Sequence, residues 1–196
     1  IPFPNDLSLL DFNFNILYIS LPAKSKAMEI KNQQYCIGEI PLLDIAQKYG
    51  SPVYVYDGAK ILHQIEALNQ AFSDVKMKIK YATKALSNVN ILKLMKKAGT
   101  GVDAVSVEEI KLCLHVGFSP EEIMYTPNCV DFDEIKQAVA FGVMVNIDSI
   151  PMLEHFGTEY GSSVPICIRL NPHILAGGNA KISVGHIDSK FGISIL

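Results

Sequence analysis

No stretch of this chain approaches the ~20 consecutive apolar residues that a membrane-spanning helix requires. The apolar run from Phe14 to Leu21 is short, with no basic region ahead of it and no small-residue cleavage site behind it, so a secretory signal is not read there either. Charge of one sign is also lacking. Against 20 Asp and Glu stand 17 Lys and Arg, a net charge of −3, which gives no electrostatic reason to expect nucleic acid or a membrane surface as partner. A small molecule is the more natural ligand. Cysteine is sparse: Cys36, Cys113, Cys129 and Cys167 form no CxxC pair and no Cys/His cluster at zinc spacing, so no metal site is expected. Three of the four lie in apolar segments and are read as core thiols in a reducing cytoplasm.

What the chain does have is apolar content, 49% over 196 residues, enough for a globular unit with a sizeable core. The first 27 residues differ in character from the rest and do not begin with methionine. The expectation is a natural start at Met28, with residues 1–27 a weakly structured leader, 28–57 an N-terminal segment and 58–196 the main body.

From about residue 78 onward, short β-rich runs begin near Ile79, Val102, Ile123, Val143 and Ile166, with helical periodicity between them. Ile91, Leu94, Met95 and Ala98 share one helix face, after Ser87 and before Gly99. The next helix opens on Ser106-Val107-Glu108-Glu109, a capping box, and turns Val107, Ile110 and Leu114 inward. A third opens at Asp131 and buries Phe132, Ile135 and Val139; a fourth follows Ser149-Ile150-Pro151. Ahead of these lie a helix over Pro41 to Tyr49, a strand at Val53 to Tyr56, and a helix from Ala59 to Phe72. That last helix is capped by Asp57, with Leu62, Ile65, Leu68 and Phe72 inward. Strands alternating with helices predict an α/β fold with a parallel sheet. Periodicity leaves a (β/α)8 barrel and an open doubly wound sheet both in play.

In either architecture a ligand lies at the carboxyl ends of the strands. Those ends carry Lys84, Asp103 to Ser106, Pro127-Asn128, Asp148, and Arg169 to Asn171. One lysine, one arginine and several carboxylates or amides suit an anionic cofactor and an amino-acid substrate. A lysine held at such an end is partly desolvated, which favours the free amine that attacks carbonyls. Position alone also admits a solvated lysine that snorkels from the strand end.

Tyr81-Ala82-Thr83-Lys84-Ala85 resembles the cofactor-lysine motif of the fold-type III decarboxylases that use pyridoxal 5'-phosphate, the alanine racemase/ornithine decarboxylase group. Gly101-Val102-Asp103, followed by Ser106 and Glu109, is similar to their second-strand segment. Ile168-Arg169-Leu170-Asn171-Pro172, then Gly185 to Ile193 with its Lys190-Phe191-Gly192 core, complete four matches in order over Val53 to Leu196. Asn171-Pro172, Ile182-Ser183 and the Lys-Phe-Gly triplet lean towards the diaminopimelate decarboxylase family. The resemblance implies a partial (β/α)8 barrel of about five βα units, an N-terminal portion of a longer protein with a further β domain. It implies decarboxylation of meso-diaminopimelate to L-lysine, in a homodimer.

By the same resemblance Lys84 carries the pyridoxal phosphate and handles protons, Arg169 bonds the cofactor's phenolic oxygen or ring region, Asp103 lies beneath the ring near the lysine, and Ala82 lines it by being small. Arg169 paired with Asp148, and Asp103 bonded to a neighbouring strand, are the structural alternatives. Glu109 is explained by its capping box and left out of the site. Lys190 is either a dimer-interface or a surface lysine, and His186 has no assigned role. Alternatives for the whole are an ornithine/arginine-type decarboxylase of the same fold, or an inactive truncated barrel. Gly99-Thr100-Gly101-Val102-Asp103-Ala104 matches a dinucleotide fingerprint, but here the helix precedes and the strand follows, the reverse of what that motif needs. Gly177-Gly178 is read as loop.

Overall fold

The computed structural model describes residues 16–19, 28–174, 184–185 and 189–195. The chain divides into two compact units, residues 1–76 and 77–196, so the boundary falls after the helix that sequence reading assigned to the main body. Gly177-Gly178, Ile182-Ser183 and His186 lie outside the described residues.

In the first unit, β1 (Ile16–Ile19) pairs in parallel with β5 (Tyr54–Asp57). Part of the expected leader is therefore a strand, and the rest of residues 1–27 lies outside the described residues. An antiparallel meander follows, β2 (Glu29–Lys31), β3 (Gln34–Ile37) and β4 (Ile40–Pro41). Its first turn is Asn32-Gln33, both at positive φ, the twist that a two-residue hairpin favours. Helix α1 (Leu42–Tyr49) and helix α2 (Gly58–Ala71) complete the unit. Asp57 caps α2 as expected, its carboxylate accepting from Lys60 N–H at 3.0 Å. The expected apolar stripe of α2 is not buried as a whole. Ile65 is buried, whereas Leu62, Leu68 and Phe72 stay 40%, 47% and 49% exposed.

The second unit alternates strands and helices as the apolar periodicity requires: β6 (Lys80–Ala82), α3 (Val89–Lys97), β7 (Gly101–Ala104), α4 (Val107–Val116), β8 (Ile123–Tyr125), α5 (Phe132–Ala140), β9 (Met144–Ile147), α6 (Ile150–Tyr160), β10 (Ile166–Ile168). The short β11 (Leu170–Asn171) and β12 (Ile193–Ser194) follow. Strands β6 to β10 pair in parallel, each with the next along the chain. A doubly wound sheet reverses its strand order at a switch point; these five strands never do. Their order is that of a barrel wall, and the unit is a partial (β/α)8 barrel.

Strand alternation sorts the side chains onto two faces. Val102, Ala104, Ile123, Tyr125 and Val145 are 0% exposed and pack beneath the helices, with Ile110 and Cys113 of α4 also at 0%. Fully burying an aliphatic side chain of this size contributes about 1.5–3 kcal/mol, which makes this layer the main source of stability. The helix termini follow local chemistry, with one shift from expectation. Asn88 caps α3 in place of Ser87, because its side-chain oxygen accepts from Asn90 N–H and Ile91 N–H at 2.9 and 3.3 Å.

Candidate functional site at the carboxyl rim

The opposite face of the sheet, the barrel interior, is built by register. Lys80 pairs with Gly101 and Ala82 with Asp103, Asp103 with Met124, Met124 with Met144, and Asn146 with Cys167. Two residues beyond Met124 and Cys167, the same parity brings Thr126 and Arg169 to this face. Backbone bonds extend the ladder that far, from Thr126 N–H to the Ala104 carbonyl (2.8 Å) and from Arg169 N–H to the Ile147 carbonyl (2.8 Å). All these side chains except Gly101 are half-buried, in contrast to the sealed layer under the helices. Polarity concentrates at the carboxyl end: Asp103, Thr126, Asn146, Asp148 and Arg169.

Lys84 stands in a 3-10 turn, Thr83–Ala85, directly after β6 and at this same end. Its turn is pinned on both sides. The Tyr81 hydroxyl donates to the Leu86 carbonyl at 3.0 Å. Thr83, 1% exposed, lies on the helix-covered parity, and its hydroxyl is 2.5 Å from Glu109 Oε2 and 3.0 Å from the Asp103 carbonyl oxygen. The lysine itself is exposed, so the partial desolvation expected for it is not provided by the described residues.

Glu109 departs from the capping box read in the sequence. Ser106 Oγ accepts from Glu109 N–H at 3.2 Å, but the Glu109 carboxylate does not return to Ser106. It accepts from Val105 N–H at 2.8 Å and bonds Thr83, tying α4 to the lysine turn. Asp103 keeps the neighbouring-strand bond foreseen as its alternative, Oδ1 accepting from Thr126 Oγ1 at 2.5 Å. Arg169 follows β10, and its guanidinium carbon lies 4.6 Å from the centroid of the Phe191 ring. Asp148, offered as its ion-pair partner, instead accepts from Asn128 Nδ2 at 2.8 Å.

Beside Asp148 is a cleft of about 130 Å3 lined by Pro127, Asn128, Asn146, Asp148, Met152 and Lys190, among others. The Asn146 side-chain oxygen is buried there without a hydrogen-bond partner. Sequence reading missed Thr83, Thr126, Asn146 and Phe191. Face parity with Asp103 is the signal that would have picked out Thr126 and Asn146. Lys80, at the other end of β6, is half-buried where Lys84 is exposed; burial lowers its pKa and the neighbouring Lys78 adds to the effect. Its Nζ donates to the Glu121 carbonyl at 3.2 Å.

Against known proteins, the family model "Pyridoxal-dependent decarboxylase, pyridoxal binding domain" matches residues 58–196. The diaminopimelate decarboxylase of Methanothermobacter thermautotrophicus is 35% identical over 159 residues, covering 80% of this chain and 37% of that protein. That of Bacillus subtilis is 34% identical over 165 residues, 81% of this chain and 38% of the relative. Among solved structures, diaminopimelate decarboxylase from M. jannaschii in complex with L-lysine superposes with a TM-score of 0.72 at 28% identity, covering 87% of this chain and 42% of that one. The chain thus spans about two-fifths of the length of these relatives.

Proposed function

Since the chain belongs to the pyridoxal-dependent decarboxylase family, matching its pyridoxal binding domain over residues 58–196, we propose that it holds pyridoxal phosphate through Lys84 and serves the decarboxylation of meso-diaminopimelate to L-lysine. The observation that carries the reading is the set of polar groups that register brings to one rim beside the lysine turn: Asp103, Thr126, Asn146 and Arg169.

The donor set fits the cofactor. Lys84 offers a primary amine for its aldehyde, and Arg169 a guanidinium for an anionic oxygen. Ala82 is in register with Asp103, and its side chain ends at Cβ, so it would crowd a flat ring on that face little. When bound, pyridoxal phosphate supplies an electron sink for the pair left behind as carbon dioxide departs. The protein's own share is positional. The Thr83 and Tyr81 bonds hold the turn from which Lys84 presents its amine to a proton or a carbonyl. The Thr126 bond holds Asp103 in one orientation. L-Lysine, bound in the M. jannaschii relative, is the product this reading assigns. The reading extends to a homodimer, tested by sedimentation, and to a reducing cytoplasm, which suits the free thiols of Cys36 and Cys113.

The test is to express the protein with whatever sequence naturally flanks residues 1–196, add pyridoxal phosphate, record the visible band of the lysine-bound cofactor, reduce with borohydride and map the labelled peptide. The label is expected on Lys84; finding it on Lys80 would remove the site assignment. Carbon dioxide released from ornithine or arginine, and not from meso-diaminopimelate, would move the substrate to the other branch.

A further inference from the structure

Arg169 and Phe191 are far apart in sequence and are brought together by a two-residue parallel ladder, in which Leu170 pairs with Ile193 and Asn171 with Ser194. Ile193 N–H donates to the Arg169 carbonyl at 2.7 Å, which ties the residue after Gly192 directly to the arginine's own backbone. Gly192 makes this approach possible. Its φ is +83°, and a Cβ there would stand 2.9 Å from Asn171 N and 3.1 Å from the Arg169 carbonyl oxygen, both backbone atoms with no freedom to withdraw. The glycine therefore seats the preceding residue, and the Phe191 ring lies 4.6 Å from the Arg169 guanidinium carbon.

We propose that Phe191 is a positioning residue for Arg169, holding its guanidinium at the rim for an anionic oxygen of the cofactor; this rests on the reading of Arg169 given above. The chemistry of the contact is the reason. A carboxylate partner would occupy two of the guanidinium N–H donors and cancel its charge. An aromatic ring has no oxygen to accept from the guanidinium and no charge to cancel it, so the full positive charge stays available. Asp148, the ion-pair partner considered from the sequence, is instead engaged by Asn128. Lys190 strengthens the field, its Nζ 5.1 Å from the same ring centroid while it also lines the rim cleft. The Lys190-Phe191-Gly192 triplet thus acts as one device: glycine for approach, ring for orientation, lysine for added charge.

The experiment compares Phe191→Leu, Phe191→Met, Phe191→Tyr, Arg169→Gln and the Phe191→Leu/Arg169→Gln double variant, in the protein with its natural flanking sequence. Pyridoxal phosphate affinity is titrated, and the pH profile of the visible band and Tm are recorded. Loss of the ring face should weaken cofactor binding on the order of fivefold to tenfold and shift the band's pH profile. Phe191→Tyr should keep both, and the double variant should bind no more weakly than Arg169→Gln alone. Phe191→Met keeps the volume without a π face and decides the matter if Phe191→Leu lowers Tm. Wild-type binding by Phe191→Met, with Arg169→Gln impaired, overturns the role of Phe191 and leaves the reading of Arg169 intact. Wild-type binding and spectrum for Arg169→Gln overturn that reading itself.

Discussion

The hydroxyl of Thr83 lies 2.5 Å from the carboxylate of Glu109, 26 residues further along the chain, and the residue after Thr83 is Lys84. The bond joins the end of the first barrel strand to the first turn of α4, and the same carboxylate oxygen also accepts from Val105 N–H. Removing either side chain takes a hydrogen-bond partner from polar groups to which water has little access. Thr83→Val and Glu109→Ala are each expected to lower unfolding free energy by about 1–3 kcal/mol, and their effects to sum to less than additivity because they break one network. Urea titration of the two single variants and the double measures this. Slower reaction of Lys84 with pyridoxal phosphate should accompany the loss; a double variant that is fully additive would mean that the two residues do not act together.

Gly101 makes a second prediction, carried by sterics alone. A Cβ there would stand 2.5 Å from the Glu122 carbonyl oxygen and 2.7 Å from Lys80 Cδ. The lysine chain can swing aside, but the backbone at the entrance to the neighbouring strand β8 cannot. Gly101→Ala should therefore cost about 1–3 kcal/mol. Adding Lys80→Ala should restore only a minor part, since the carbonyl remains; full rescue in thermal melts would show that the lysine is the real obstacle.

Much of this architecture was legible from the residues. The strand starts expected near Ile79, Val102, Ile123, Val143 and Ile166 lie within one residue of those found, because runs buried on one side and half-buried on the other read as almost continuously apolar. Barrel and doubly wound sheet were inseparable until pairing order was known, since order is a property between strands and periodicity a property within one. Glu109 illustrates the same limit at a single side chain. Local spacing supplied a capping box, and a hydroxyl from the turn after β6 outcompeted Ser106 N–H for the carboxylate. The exposed Leu62, Leu68 and Phe72 show periodicity naming a stripe without naming what covers it. Lys84 and Arg169 were singled out by motif, whereas Phe191's contact with Arg169 needed the β11–β12 ladder.

Glu122 predicts a pH dependence. Its carboxylate accepts from Ser119 N–H at 2.8 Å and pairs with Lys96 at 3.2 Å. The backbone donor first, and Lys96 after it, hold its pKa below the ordinary carboxylate value. A carboxyl group with a depressed folded-state pKa stabilises the fold fully above its unfolded value and loses that contribution as pH falls through the folded one. Stability should be level around neutrality and decline below about pH 4. Glu122→Gln should lose up to about 1 kcal/mol at neutral pH, the pair being partly exposed, and match the wild type in acid. Urea midpoints across pH check this; a difference that grew in acid would reverse the assignment.

The cysteines offer a test of the core that needs no cofactor. Cys113 is 0% exposed beneath α4, and burial, with the Glu109 charge adding to it, pushes its thiol up to about 12. At neutral pH on the order of one molecule in 10^5 then carries the reactive thiolate, and that one is sealed from reagent. Cys36 is buried as well, whereas Cys129 is exposed and Cys167 is half-buried on the interior face. Treatment of the native protein with a thiol reagent, followed by peptide mapping, should label Cys129 first and Cys167 more slowly. Cys36 and Cys113 should appear only in denaturant. Glu109→Gln removes one of the two influences that raise Cys113 and opens the network above it, so Cys113 should become detectably reactive in that variant while Cys36 stays silent. Rapid labelling of Cys113 in the unmutated protein would show that the layer between α4 and the sheet is not closed in solution.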